Sequence, residues 1–382
     1  MDFGFSHEQE LLRQTARSFL DKECASAFVR RMMDDPQGTT DEFWQKLAEL
    51  GWLGLIYPEA YGGVGLGFVD LTVVLEEMGR VVMPGPYFST VLLGGLTLLE
   101  AGSEAQKSEW LPRIAAGQAR ATLALTEESA RWDAAGVQLA ARPTGSGEYV
   151  LSGTKLFVPD AHTADLLIVA ARTAKPPKED PHYGVSLFLV PAHAKGVQAT
   201  QLPTMDQTRK LYDVTLRRVQ VGAEARLGPL HQGWALLARV LERATVALCA
   251  EMCGGAQKIL EMSTEYAKVR VAFGKPIGTY QAVKHKCADM LVAVENAKSV
   301  TYYAAWAADE RVPEAGLAAS MAKAYVSDAY RKAAGDGIQI HGGIGFTWEH
   351  DLHLYFKRAK GSEVTFGDAT FHRERVAQLI NL

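Results

Sequence analysis

Cysteine is scarce, with four in 382 residues. Cys24, Cys249, Cys253 and Cys287 show neither CxxC nor mixed Cys/His spacing, which excludes a disulfide framework and a zinc module and leaves reduced, buried thiols. Positive charge is not in excess either. Lys plus Arg number 40 against 44 Asp plus Glu, a formal net of −4, so there is no broad field to attract nucleic acid or anionic lipid. A phosphate-bearing ligand has to be held by a few placed groups. No apolar run approaches the roughly 18 residues of a membrane span, and the first residues lack the apolar stretch of a signal peptide. The expectation is a cytoplasmic protein without a membrane span, a nucleic-acid partner or a metal.

What is present is ordinary globular material: 48% hydrophobic, 22% charged and 9% aromatic residues. At roughly 150 residues per domain the length suggests two to three domains. Ser6 with Gln9 and Ser103 with Gln106 read as capping boxes, and helical periodicity runs through Asp41–Leu50, Val69–Met78, Tyr87–Glu100 and Ser103–Ala116. After Gly117 the pattern changes to short alternating or apolar runs, ATLALT, VQLAAR, EYVLSGTKLFV, DLLIVAAR, GVSLFLVP, VQATQLP and TLRRVQVG, with KPPKEDP as a surface loop. Helices return over Gly233–Arg270, Thr279–Asp309, Ala315–Gly335 and Ala369–Ile380. The fold class is therefore α+β in three segments: a helical domain at 1–119, a β domain at 120–224 and a helical bundle at 225–382. Grouping the strands in the middle excludes a doubly wound nucleotide fold, so Gly63, Gly65 and Gly67 of YGGVGLG read as a tight loop and not a dinucleotide fingerprint.

Three stretches carry chemistry. Thr126–Glu127 ends an apolar strand ahead of YVLSGTKLFV. Arg270 to Gln281, RVAFGKPIGTYQ, is a helix end, a glycine turn and a new helix start, which suits either a phosphate clamp or a solvated turn. Gln339 to Phe346, QIHGGIGF, lets backbone amides approach a ligand or simply caps a helix.

In this order, with YPEAYGGVGLG before them, these stretches resemble the FAD-dependent acyl-CoA dehydrogenases over essentially the whole chain. That family's helical, β and helical domains agree with the three segments. The resemblance implies that Leu125 and Thr126 line the flavin ring from one strand turn, and Phe157, Val158 and Pro159 from another. Arg270, Phe273 and Gln281 would hold the pyrophosphate and adenosine of a neighbouring subunit's FAD, and Gln339, Gly342 and Gly343 would meet its adenine half. An oligomer follows, a homotetramer or a heterotetramer with a related subunit. The implied reaction is α,β-dehydrogenation of an acyl-CoA thioester: a carboxylate takes the α-proton, flavin N5 takes the β-hydride, and electrons pass to an electron-transfer flavoprotein. The thioester oxygen needs donors as charge develops, and the resemblance assigns one of them to the backbone amide of the base residue.

The sequence departs from the family at that residue. Phe366, in Thr365-Phe366-Gly367, stands where the usual Glu belongs, and its amide alone keeps the oxyanion role. The alternative base position, early in the first C-terminal helix, is Ala244. Three acids lie nearby. Glu242 is two residues before Ala244, about 200° around a helix. Asp368 is either a base or the N-cap of the last helix. Glu251 suits a buried structural or cofactor-side role. Pro159 replaces a Thr whose hydroxyl and amide serve the flavin, and Thr245 replaces an Arg on the CoA side. These departures resemble a branch in which two related chains assemble and one supplies the base; such pairs act on bulky acyl groups, including steroid side chains. Three readings follow: a catalytic dehydrogenase, a partner subunit of a heteromer, or a related flavin oxidase.

Overall fold

A computed structural model describes residues 4–145 and 147–382. In chain order the helices α1 (His7–Glu23), α2 (Ser26–Asp34), α3 (Asp41–Glu49) and α4 (Phe68–Arg80) come first. A π-helical stretch, Phe88–Gly95, then runs into α5 (Leu96–Ala101), followed by α6 (Glu104–Ala115). The strands are β1 (Ala121–Ala124), β2 (Ala140–Pro143), β3 (Tyr149–Pro159), β4 (Leu166–Arg172), β5 (Val185–Pro191), β6 (Val197–Leu202), β7 (Leu211–Val221) and β8 (Arg226–Leu227). The long α7 (Gly233–Val269) leads to a small hairpin, β9 (Val271–Ala272) and β10 (Lys275–Pro276). The chain closes with α8 (Gln281–Asp309), α9 (Ala315–His341), α10 (Leu352–Val364) and α11 (Ala369–Leu379). No described helix is long and apolar enough to cross a membrane.

The chain divides into two compact units, one of Met1–Arg31, Gly67–Met83 and Thr245–Leu382, the other of Met32–Leu66 and Pro84–Ala244. The second unit contains an eight-stranded sheet in the order β6-β7-β3-β2-β4-β5-β8, with β1 parallel to β4. Sequence explains the order. β4 and β5, LLIVAAR and VSLFLVP, are continuous apolar runs buried along nearly their whole length, as strands covered on both faces require. β6, VQATQL, is exposed along its length and lies at the edge. Leu151, Val158, Leu167, Val169, Phe188 and Val214 form the core of this sheet, each fully buried side chain contributing about 1.5–3 kcal/mol.

The first unit is helical. Ser6 and Gln9 make the capping box that starts α1. Glycine permits a close helix crossing: a Cβ on Gly79 of α4 would overlap the Glu251 carbonyl of α7, and one on Gly254 of α7 would overlap the Glu76 carbonyl of α4. Beside that crossing lies a buried polar cluster. The Tyr302 hydroxyl donates to Glu76 at 2.6 Å, Arg13 lies 3.5 Å from Glu76, and Arg80 forks onto Glu261 at 2.8 and 2.9 Å.

Three expectations about elements need correction. The helix expected over Ala315–Gly335 continues to His341: Gly335 is carried within the helix, and Gly337 beyond it packs where a Cβ would stand 2.6 Å from Ile259. The helix expected over Tyr87–Glu100 is π-wound at Phe88–Gly95, where the Gly94 and Gly95 backbone presses on Ala121 and the Tyr57 hydroxyl. α2, α10 and the β9–β10 hairpin are additional elements.

Candidate functional site

The strand-turn residues lie together in the sheet-containing unit. Leu125 and Thr126 follow β1 directly and are both buried. β3 grips this turn at three points. The Lys155 ammonium donates to the Leu125 carbonyl at 2.9 Å, the Leu156 amide donates to the Thr126 carbonyl at 2.8 Å, and Lys155 also meets the Glu127 carboxylate at 2.6 Å. Immediately afterwards the pairing of β3 with β7 slips between Lys155 and Val158. In that slip Phe157 takes φ +55° and stays half-exposed, while Val158 turns into the core. Pro159 brings no N–H, and its carbonyl accepts the Thr122 hydroxyl at 2.7 Å.

The remaining cofactor candidates lie in the helical unit. Arg270 follows α7, its carbonyl accepting the Ile277 amide at 2.8 Å so that the hairpin closes. The hairpin tip, Phe273–Gly274, has φ +52° and +82°, and Phe273 is 96% exposed. Tyr280 donates to the Ala272 carbonyl at 3.0 Å and carries the Lys275 ammonium 4.6 Å over its ring. Gln281 opens α8. Gln339 sits in the last turn of α9, which Gly342 ends at φ +63°, so a helix cap is present. Stacking of His341 on Tyr266 at 4.3 Å, with a 2.8 Å hydrogen bond from its Nδ1 to the Gly337 carbonyl, ties that helix end to α7.

These two sets suit FAD. An added Cβ would meet nothing within 4 Å at Gly274, Gly342 or Gly343, so backbone amides there are open to close approach by a ligand. The exposed Arg270 guanidinium has no hydrogen bond or ion pair among the described residues, which leaves its donors open to a ligand or to water. Half-exposed Phe157, on a slipped strand beside Thr126, offers a flat apolar face to a ring. Among the described residues no group of side chains could hold a metal ion.

The turn between α10 and α11 carries Phe366. It is buried at φ +62°, followed by Gly367 at φ +102°. Its carbonyl accepts Nε2 of His372 at 3.0 Å. Burial, then the nearby Lys323 ammonium, push the His372 pKa down to about 4, so that ring is neutral. Lys323 of α9, 0% exposed, spends all three protons on this region: Ser327 Oγ at 3.0 Å, Glu363 O at 2.9 Å and Gly367 O at 2.8 Å. Burial lowers its pKa to about 8. The backbone on either side of Phe366 is thus held by two buried side chains, Lys323 and His372.

The acids fall as follows. Asp368 is exposed and caps α11, accepting the Phe371 amide at 2.8 Å. Glu242 is half-buried, and α7 is unbroken helix through Ala244, which keeps the two residues about 200° apart around the axis. Ala244 and Thr245 are buried. Glu251 is paired with Arg358 at 3.1 Å, and Arg358 also donates to the Met83 carbonyl at 3.3 Å, a structural ion pair.

Sequence reasoning overlooked Lys155, Glu127's role, Lys323 and His372. A signal existed for the lysines. Tyr149, Leu151, Gly153 and Lys155 share one face of β3 by the period of two, and Lys323 falls on the buried alanine face of α9 with Ala319, Ser320 and Ser327.

Family models match the chain along most of its length. The acyl-CoA dehydrogenase N-terminal domain matches residues 6–118, the middle domain 122–219 and the C-terminal domain 231–380. The probable acyl-CoA dehydrogenase YngJ of Bacillus subtilis is 32% identical over 384 residues, covering 99% of each chain. The butyryl-CoA dehydrogenase structure from Megasphaera elsdenii superposes with a TM-score of 0.92 at 27% identity, covering 100% of both chains. The ChsE4-ChsE5 complex from Mycobacterium tuberculosis superposes with a TM-score of 0.89 at 28% identity, over 100% of this chain and 99% of that one.

Proposed function

Since the chain belongs to the acyl-CoA dehydrogenase family of oxidoreductases, with its helical, β and helical architecture, we propose that it takes part in FAD-dependent α,β-dehydrogenation of an acyl-CoA thioester. The domain division we assign is 1–119, 120–224 and 225–382. The observation that carries the reading is the partnerless Arg270 guanidinium beside the open Phe273–Gly274 tip, in a chain that otherwise buries or pairs most of its arginines.

In this reading Leu125, Thr126 and Phe157–Pro159 orient the ring. Arg270, Phe273, Gln281, Gln339, Gly342 and Gly343 hold the pyrophosphate and adenosine of FAD in a neighbouring subunit. The chemistry supplied by bound FAD is acceptance of the β-hydride, with electrons leaving to an electron-transfer flavoprotein. The Phe366 amide, on a turn held by Lys323 and His372, donates to the thioester oxygen as charge develops there. Glu242 and Asp368 are this chain's own candidates for the α-proton acceptor.

A second reading concerns who supplies that carboxylate. Phe366 and Ala244 are both buried and apolar, Asp368 is engaged as a cap, and Glu242 lies about 200° around the unbroken α7 from Ala244. These observations favour a heterotetramer in which a related chain contributes the base, acting on a bulky acyl group such as a steroid side chain.

One experiment separates the readings. Flavin content is measured by visible absorbance for the chain alone and after coexpression with a related acyl-CoA dehydrogenase chain, and straight, branched and ring-bearing acyl-CoAs are added without oxygen. Bleaching by the homomer that disappears in Glu242→Gln or Asp368→Asn identifies an internal base. Bleaching only in the mixed assembly supports the partner-subunit reading, and absence of flavin from both preparations overturns the proposal. Peroxide release during turnover in air would instead mark a flavin oxidase.

A further inference from the structure

A lysine ammonium withdrawn completely from water costs several kcal/mol unless its protons and charge are met. Lys155 is such a group: it is 0% exposed. Burial lowers its pKa to about 8, opposed by the Glu127 carboxylate. What meets it is unusual in placement. One proton goes to the Leu125 carbonyl at 2.9 Å and one to Glu127 Oε1 at 2.6 Å. The third finds no acceptor among the described residues, whereas the other fully buried lysine, Lys323, places all three.

Glu127 is equally committed. Its carboxylate also accepts the Gln138 amide at 2.9 Å and the Leu139 amide at 3.0 Å. The pair therefore ties together three separate backbone segments: the turn after β1, the approach to β2, and β3 two residues before the slip at Phe157. Residue 126 lies between the two groups that Lys155 holds, and its carbonyl is held by Leu156.

We propose that Lys155, with Glu127, is the positioning residue of the flavin face, making the Leu125–Thr126 turn and the Phe157–Pro159 turn one rigid body. This rests on the reading that those two turns face the flavin ring. Lys155 is not a catalytic residue; it acts through the backbone it holds. Substitution should therefore alter how the ring is bound and tuned before it alters the fold.

The test uses the full-length protein, stripped of flavin and titrated with FAD, comparing wild type with Lys155→Met and Glu127→Gln. Affinity is read by flavin fluorescence, and the visible spectrum and midpoint potential are recorded. Lys155→Met is expected to weaken FAD binding at least about tenfold, the loss of a charge-assisted hydrogen bond, with a shifted spectrum and potential. Glu127→Gln, which keeps shape and one acceptor, is expected to show a smaller loss in the same direction. Should Lys155→Met fail to fold, Glu127→Gln decides the matter: unchanged affinity and spectrum in that folded variant would overturn the proposal. Phe157→Ala separates this inference from the reading beneath it. If Phe157→Ala weakens FAD binding but Lys155→Met and Glu127→Gln do not, the positioning role is wrong and the flavin face stands. If none of the three matters in a protein that binds FAD, the flavin face itself is misassigned.

Discussion

Three phenylalanines, Phe157, Phe273 and Phe366, have φ of +55°, +52° and +62°, a backbone state that costs a residue with a Cβ about 1–2 kcal/mol. Nothing in the three sequence contexts, LFVP, VAFG and VTFG, announces the strain beyond the glycine that follows Phe273 and Phe366. Val82, Ala130, Asp160, Arg218, His231, Arg311 and Asn381 also take positive φ, so the strain alone does not mark a site. The other residue-scale feature is Glu76. Burial raises its pKa to about 7, against the opposing pull of the Tyr302 hydroxyl, Arg13 and Lys298, with Glu77 adding to the rise. The folded chain thus keeps this proton up to about pH 7, whereas the unfolded chain loses it near the ordinary carboxyl value of 4.5. Its stabilising contribution is complete below the unfolded value and fades as pH rises to about 7. Glu76→Gln retains an acceptor for Tyr302 without titrating, so its melting temperature should gain on wild type between about pH 5 and about pH 8. An equal difference at both pH values would contradict this.

At the scale of elements, much of the chain was legible. The capping boxes at Ser6 and Ser103 open α1 and α6 where expected, and the alternating and apolar runs between Gly117 and Gly222 became β1–β7. α10 was not legible, because HLYFKRAKGSEV has little periodicity. It is held by tertiary partners: Tyr355 donates to the Arg80 carbonyl at 2.5 Å, and Arg358 reaches Glu251. Such a helix draws its stability from packing more than from pattern. The crossing of α4 and α7 depends on two glycines in the same way. Gly254→Ala should destabilise the protein by at least about 1–3 kcal/mol, as overpacking does, even though alanine is the better helix former. Chemical denaturation gives the value, and a neutral or stabilising result would mean that the two helices can part without cost. Asp368→Ala should cost about 1 kcal/mol by the same measurement, through loss of the α11 cap.

For the whole molecule, the residues proposed to face a cofactor sit in motifs where glycine turns and a lone arginine leave a trace in the letters, while the supports beneath them leave none. Lys155 and Lys323 look like surface lysines until the buried face of the strand or helix that each belongs to is traced, and the neutral His372 beside Phe366 has no sequence signature at all. Arg270 offers the direct check on the proposed cofactor-facing set. Arg270→Ala should leave the melting temperature of the flavin-free protein unchanged, since the side chain has no partner within the described chain, and should weaken FAD binding about tenfold or more. Equal FAD affinity in the variant would remove Arg270 from the site. The paired glycines of α4 and α7 carry a different kind of consequence, one written in codons. Every missense change at a glycine codon adds at least a Cβ, and at Gly79 or Gly254 that atom lands on the opposite helix's carbonyl. Those two codons have no conservative neighbour, so drift at this crossing requires both helices to shift together or not at all.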